Sequence, residues 1–227
     1  MAALIRSLAL GLWALVLLRS AGDGRLDLLL RAIFHPLVRG AGWLLLLLAL
    51  VQLLLALQEL RAGRRAIGQE LRGSSLSAAA TAAIAGLMLT LPPNPSFAEL
   101  ARQRPSEDSS DPGLSFTLPP AQRSLTDWVR LLRSHPDPAL HAGEPVRISG
   151  FVLPMPDGPP QLARLLVRCC LADATPVGLP VRWPAGPLPA ADQWLAIDGR
   201  LERQGDALVV VPSRIRSMAR PARPLEP

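Results

Sequence analysis

A chain of 227 residues that is 49% hydrophobic, 19% charged and 4% aromatic is long enough for one or two modest domains and too apolar to be disordered. Its 24 basic residues, all arginine, exceed the 18 acidic ones for a net charge of +6. They are scattered, without the block of like charges that marks a nucleic-acid-binding arm. The two cysteines, Cys169 and Cys170, are adjacent, which excludes a zinc ribbon and any disulfide framework of separated cysteines.

Nearly every long apolar run precedes Pro92, so the sequence predicts a membrane-anchored chain with about three helical spans over residues 1–91. The first covers about 1–18, interrupted by Arg6, whose long side chain can reach the headgroups. The same stretch also has the form of a signal peptide, with Ser20-Ala21-Gly22 near a cut. The second covers about 41–60, a leucine-rich run that reaches about 30 Å at about 1.5 Å per residue, the thickness of a bilayer core. The third covers about 75–91 and is built from Ala, Gly, Ser, Thr, Leu and Met, a composition suited to close helix contact. Between the first two, Arg19 to Gly40 has the pattern of an interfacial helix that Pro36 would end or kink. Arg6, Arg61, Arg64, Arg65 and Arg72 fall on one side of the membrane, and Arg19, Arg25, Arg31, Arg39, Arg102 and Arg104 on the other. The short second loop is the denser, which favours a cytoplasmic N-terminus and places the C-terminal domain outside the cytoplasm.

Residues 92–123 carry seven prolines among polar residues and read as an extended, solvated linker. A small all-β domain with one leading helix follows over 124–217. Ser124 with Asp127 three residues later is an N-cap signal, and Leu125, Trp128, Leu131 and Leu132 share a face before His135-Pro136 stops the helix. Five strand-like segments then run Val146 to Leu153, Leu162 to Leu171, Thr175 to Trp183, Gln193 to Leu201 and Ala207 to Ile215, the last two forming a hairpin. Asp157-Gly158 reads as a turn. Five short strands in about 75 residues point to an OB-like barrel, with a sandwich as the alternative. Residues 218–227 read as a flexible tail.

Cys169, Cys170 and Asp173 form the one constellation able to carry chemistry, since thiolates and a nearby carboxylate suit a metal ion or thiol exchange. Adjacent side chains of a strand point to opposite faces, so the sulfurs converge only if a bulge or turn falls there. One cysteine packed inside and one facing out, or a vicinal disulfide, are the other readings. His35, His135 and His141 show no metal-ligand spacing, and phosphate loops, dinucleotide fingerprints and nucleophile elbows are absent from the sequence, so no catalytic residue and no enzyme activity is expected. Trp128, Trp183 and Trp194 could stack single-stranded bases, but core packing is the simpler use, and no nucleic-acid partner is expected.

The run from Ala163 through Arg168-Cys169-Cys170-Leu171-Ala172-Asp173 to Gly178-Leu179-Pro180-Val181 resembles the signature of the YcgQ-like family of bacterial permease subunits. In that family an Arg, a Cys-Cys or His-Cys pair, Ala-Asp and Gly-Leu-x-Val recur in a C-terminal domain of unknown function. Pro145 to Val152, Trp194 to Leu201 and Phe34-His35-Pro36 are similar to further family segments. The resemblance implies a multi-pass accessory subunit of a cell-membrane permease, with a multi-span subunit and the lipid bilayer as partners. Binding or gating would run through the β domain, with Arg168, Cys169, Cys170 and Asp173 at its surface and no cofactor beyond a metal ion at Cys169, Cys170 and Asp173. Some members carry a His- and Asp-rich loop between the second and third spans; here Arg61-Ala62-Gly63-Arg64-Arg65 has neither His nor Cys. A membrane-anchored metal-binding or thiol-redox protein of the cell envelope is the alternative expectation.

Overall fold

The computed structural model describes residues 2–61, 72–91, 94–104 and 118–226. The chain divides into two compact units, Met1–Asn94 and Pro95–Pro227. In the first, α1 covers Ala2–Gly22, α2 is a single turn over Leu26–Leu29, α3 covers His35–Arg61 and α4 covers Arg72–Thr90. Among the described residues, only Leu4–Gly22 and Ala32–Gln58 are long and apolar enough to cross a membrane, and just 17% of each such window is buried. The apolar part of α4, Leu76–Thr90, is shorter and would reach about 22 Å. Two helices therefore meet the length criterion where three were expected. The interfacial helix expected between them shrinks to α2 and one 3-10 turn, Ala32–Phe34. Pro36 opens α3 instead of ending a helix, because the first turn leaves its backbone nitrogens unbonded and proline loses nothing there. The arginine loop lies outside the described residues from 62 onward.

Helix α1 packs on both α3 and α4. The buried positions of this unit are mostly alanines, Ala9, Ala14, Ala49, Ala56 and Ala85, while Trp43, Leu44, Leu47 and Leu54 are exposed. Small side chains let backbones approach. At Gly42 an added Cβ would lie 2.9 Å from Leu18 Cγ, so any side chain there would have to push Leu18 aside.

The second unit holds α5 (Phe97–Arg102), α6 (Leu125–Ser134) and strands β1 (Pro145–Met155), β2 (Gly158–Leu166), β3 (Thr175–Pro180), β4 (Trp194–Gln204), β5 (Ala207–Ser217) and β6 (Leu225–Glu226). They form one sheet in the order β3-β2-β1-β4-β5, antiparallel throughout, with β6 added parallel to β2. The two ends of this order meet at a single parallel bridge between Val181 and Val210, where the Arg182 N–H donates to the Val210 carbonyl at 2.9 Å. A continuous closing ladder is not formed, and the five expected strands gain a sixth. A one-sheet domain also replaces the alternative of two stacked sheets.

One core gathers Leu125, Trp128 and Leu131 of α6 with Val146, Ile148 and Val152 of β1, Leu162 of β2 and Ile197 of β4. The helix starts as its sequence dictates. Ser124 Oγ accepts from the Asp127 N–H at 3.1 Å and the Ser124 N–H donates to Asp127 Oδ2 at 2.9 Å, a reciprocal capping box. A second core on the opposite face joins Phe97, Ala98 and Ala101 of α5 to Phe151, Leu165 and Trp194. Helix α5 lies inside the stretch read as a solvated linker. Ser96 caps it by accepting from the Glu99 N–H at 3.1 Å, and Phe97 sits 5.8 Å from Phe151 and 6.1 Å from Trp194, centroid to centroid. The buried Phe97, Ala98 and Ala101 side chains and the Asp192 carboxylate, which accepts from the Ala98 N–H at 2.6 Å, outweigh the polar composition around them. The supposed loose tail is ordered for a similar reason. Pro224 is fully buried, Leu225 and Glu226 pair with Leu165 and Leu166, and the Glu226 carboxylate meets Arg164 at 3.3 Å.

Candidate functional site

Strand β2 stops at Leu166, five residues before the boundary expected from its apolar run. The Val167 N–H still donates to the Glu226 carbonyl at 2.9 Å. The chain then bends at Arg168 and Cys169 and closes a 3-10 turn over Leu171–Asp173. That bend is the turn convergence required. Cys169 Sγ and Cys170 Sγ lie 3.5 Å apart, both as free thiols, Cys169 exposed and Cys170 half-buried. One ligand atom each from Cys169, Cys170 and Asp173 falls within 4.8 Å of the others.

Asp173 organises the turn. Its Oδ1 accepts from the Arg168 N–H at 3.0 Å and its Oδ2 from the Cys169 N–H at 2.8 Å, while its own N–H donates to the Cys170 carbonyl at 3.1 Å. Partial burial by itself would raise the Asp173 carboxyl, but hydrogen bonds from the Cys169 thiol and from the Cys169, Arg168 and Cys170 N–H groups outweigh it and hold the group below the usual range. The same contact acts in reverse on sulfur. Its hydrogen bond to Asp173, then that to Cys170, stabilises the protonated Cys169 thiol and pushes it up to about 12. The turn therefore holds a protonated thiol beside a carboxylate.

All four residues singled out in the sequence thus meet at one turn, with Arg168 contributing its backbone N–H. Sequence reasoning missed Arg104. Its Nη1 donates to the Leu171 carbonyl at 2.8 Å and to the Ala174 carbonyl at 2.7 Å, clamping both ends of the 3-10 turn from 67 and 70 residues away. No local pattern announces such a contact. Arg164 was missed as well. It is buried, donates to the Ser149 carbonyl at 2.8 Å and Ser149 Oγ at 2.7 Å, and lies 4.9 Å from the Trp194 ring centre. Burial lowers its basicity and the Glu226 charge restores part of it.

The tryptophans go to packing. Trp128 and Trp194 are buried and Trp183 donates its Nε1–H to the Pro160 carbonyl at 2.8 Å, so the domain does not present them as base-stacking platforms. His141 joins Glu144 at 3.1 Å and Arg123 reaches the same carboxylate at 2.9 Å, a structural cluster beside Trp128.

Fold and site together define a class: an apolar helical region followed by an antiparallel β domain that displays a vicinal dithiol and carboxylate on a surface turn. Residues 121–213, which include α6, strands β1 to β4, β5 as far as Ser213 and the whole turn, match the family model of the DUF1980 C-terminal domain. The match is a similarity confined to this β domain and carries no permease assignment. No curated protein and no solved structure matches the chain.

Proposed function

We propose that this chain is a multi-pass membrane accessory protein that binds through its β domain, and that the ligand is a soft or borderline-soft metal ion held at Cys169, Cys170 and Asp173. The observation that carries the reading is the convergence of two sulfurs and a carboxylate within 4.8 Å on an accessible turn. An isolated thiol seldom implies a ligand, but three donors of matched chemistry, with the carboxylate oriented by two backbone N–H groups, have the makings of a metal site. The strand order and the Val181–Val210 bridge support an OB-like barrel as the platform.

Exposed leucines along α3 and buried alanines between the helices support the membrane location, and α4 serves as a third, shorter span. A multi-span permease subunit is the partner this arrangement suits, with the β domain outside the cytoplasm receiving or presenting the ion. Full-length protein in detergent, equilibrated with zinc or copper and then freed of unbound metal, should retain one equivalent. The Cys169→Ser/Cys170→Ser double variant should retain none while keeping its circular dichroism. Equal metal content in both proteins, or none in either, would refute the metal reading. Recovery of a multi-span membrane protein with the tagged chain tests the accessory role separately.

A further inference from the structure

We infer that the turn takes a tetrahedral dication of the zinc class through Cys169 Sγ, Cys170 Sγ and one Asp173 oxygen, and that the fourth coordination position stays open for an incoming ligand. This deepens the metal reading above and rests on it.

The sulfur separation selects the geometry. Two zinc–sulfur bonds of about 2.3 Å drawn to sulfurs 3.5 Å apart enclose an angle of about 99°. The ideal tetrahedral angle requires about 3.8 Å, so rotation by a few tenths of an ångström satisfies the two sulfurs, and the Asp173 oxygen, within 4.8 Å of them, closes to about 3.5 Å. Linear coordination by two thiolates, the arrangement of a soft monovalent ion such as Cu(I), needs sulfurs about 4.6 Å apart at the same bond length. Reaching that distance would pull the pair more than an ångström apart and away from Asp173.

The third donor agrees. Oxygen is a natural ligand for zinc and a poor one for soft monovalent ions. The Asp173 carboxylate accepts from the Arg168, Cys169 and Cys170 N–H groups and from the Cys169 thiol, and the lone pair that holds the thiol is freed for the ion when that thiol loses its proton. The N–H groups orient the carboxylate as hydrogen-bonded partners orient ligating carboxylates in metal sites. Binding displaces one proton from each thiol to solvent, with no change in oxidation state.

No fourth His, Cys, Asp or Glu joins the group among the described residues, and Cys169 is exposed. Structural zinc sites are closed by four protein ligands, whereas sites whose metal meets a further molecule keep one position free. Three donors on a surface turn leave an ion there within reach of a further ligand from solvent.

Cobalt(II) reports this directly. Titrated into the full-length protein in detergent, it should bind at one per chain with the intense visible bands of tetrahedral cobalt and thiolate-to-metal charge transfer. Zinc should displace it, and imidazole should shift the visible bands by entering the free position. Asp173→Ala should keep the charge transfer and weaken binding at least tenfold; Cys169→Ser/Cys170→Ser should abolish both, with circular dichroism confirming the fold. Tetrahedral cobalt that ignores imidazole and Asp173→Ala would overturn the open three-donor site and leave the metal reading standing. Retention of Cu(I) with no cobalt binding would overturn the tetrahedral assignment. Failure to bind any metal would overturn both.

Discussion

The two units of this chain are built inside out with respect to each other. In the helical unit the buried side chains are mostly alanine and the exposed ones leucine and tryptophan; in the β domain Trp128, Phe151, Leu162 and Ile197 are buried, and Arg147, Arg200 and Arg214 are exposed. Water drives large apolar side chains into a core, and it cannot do so where the surroundings are as apolar as leucine. Helix association in such surroundings depends on close fit, hence Gly42 against Leu18. The contrast teaches that one hydropathy value for the whole chain averages two opposite packing rules.

Substitutions can break or sharpen that contrast. The largest effect is expected from Trp128→Ala, which empties the centre of the β-domain core and should cost about 3–5 kcal/mol in urea unfolding followed by circular dichroism. Leu47→Ala, at a position 57% exposed in α3, should leave that transition within about 0.5 kcal/mol. Comparable losses from the two would erase the distinction between the units. Leu47→Arg should oppose membrane insertion by about 3 kcal/mol, read as the fraction of chain extracted from membranes by alkaline carbonate.

Glu226→Ala tests whether the last residues belong to the β core. It removes the ionic partner of buried Arg164 and should destabilise the domain by about 3 kcal/mol; no change in the unfolding midpoint would return the tail to the solvent. At the turn, Asp173→Asn removes the carboxylate that keeps the Cys169 thiol protonated. With that thiol at about 12, almost none is thiolate at pH 8. The variant should move it downward, so iodoacetamide labelling of metal-free protein at pH 8 should speed up at least tenfold. Unchanged labelling would show that Asp173 does not govern the thiol. Ser124→Ala, which removes the α6 cap, should cost about 1 kcal/mol in the same urea titration.

Local signals were legible wherever a few neighbouring residues decide the outcome. The Ser124–Asp127 box, the face formed by Leu125, Trp128 and Leu131 and the turn at Asp157 follow from spacing and appear as expected, as does the final hairpin, although its first strand runs on from Leu201 to Gln204 and leaves only Gly205-Asp206 as the turn. Strand β2 was read too long because Leu166 to Leu171 is apolar apart from Arg168, while Asp173 draws back two N–H groups and bends the backbone. Helix α5 and strand β6 were read as solvated because their few anchoring residues, Phe97 with Ala98 and Ala101, and Pro224 with Leu225 and Glu226, stand in polar, proline-rich surroundings. Their partners, Phe151, Trp194 and Arg164, lie far away in sequence.

By itself the sequence determined that a leucine-rich helical region precedes a β domain and that Cys169, Cys170 and Asp173 share a short segment. Periodicity and composition act over a few residues and survive without knowledge of the rest. Only the tertiary structure decided that the sulfurs face each other, that Arg104 clamps their turn, and that the strand order brings β3 back beside β5. Those outcomes depend on contacts between residues remote along the chain, where the free energy of pairing belongs to neither segment alone.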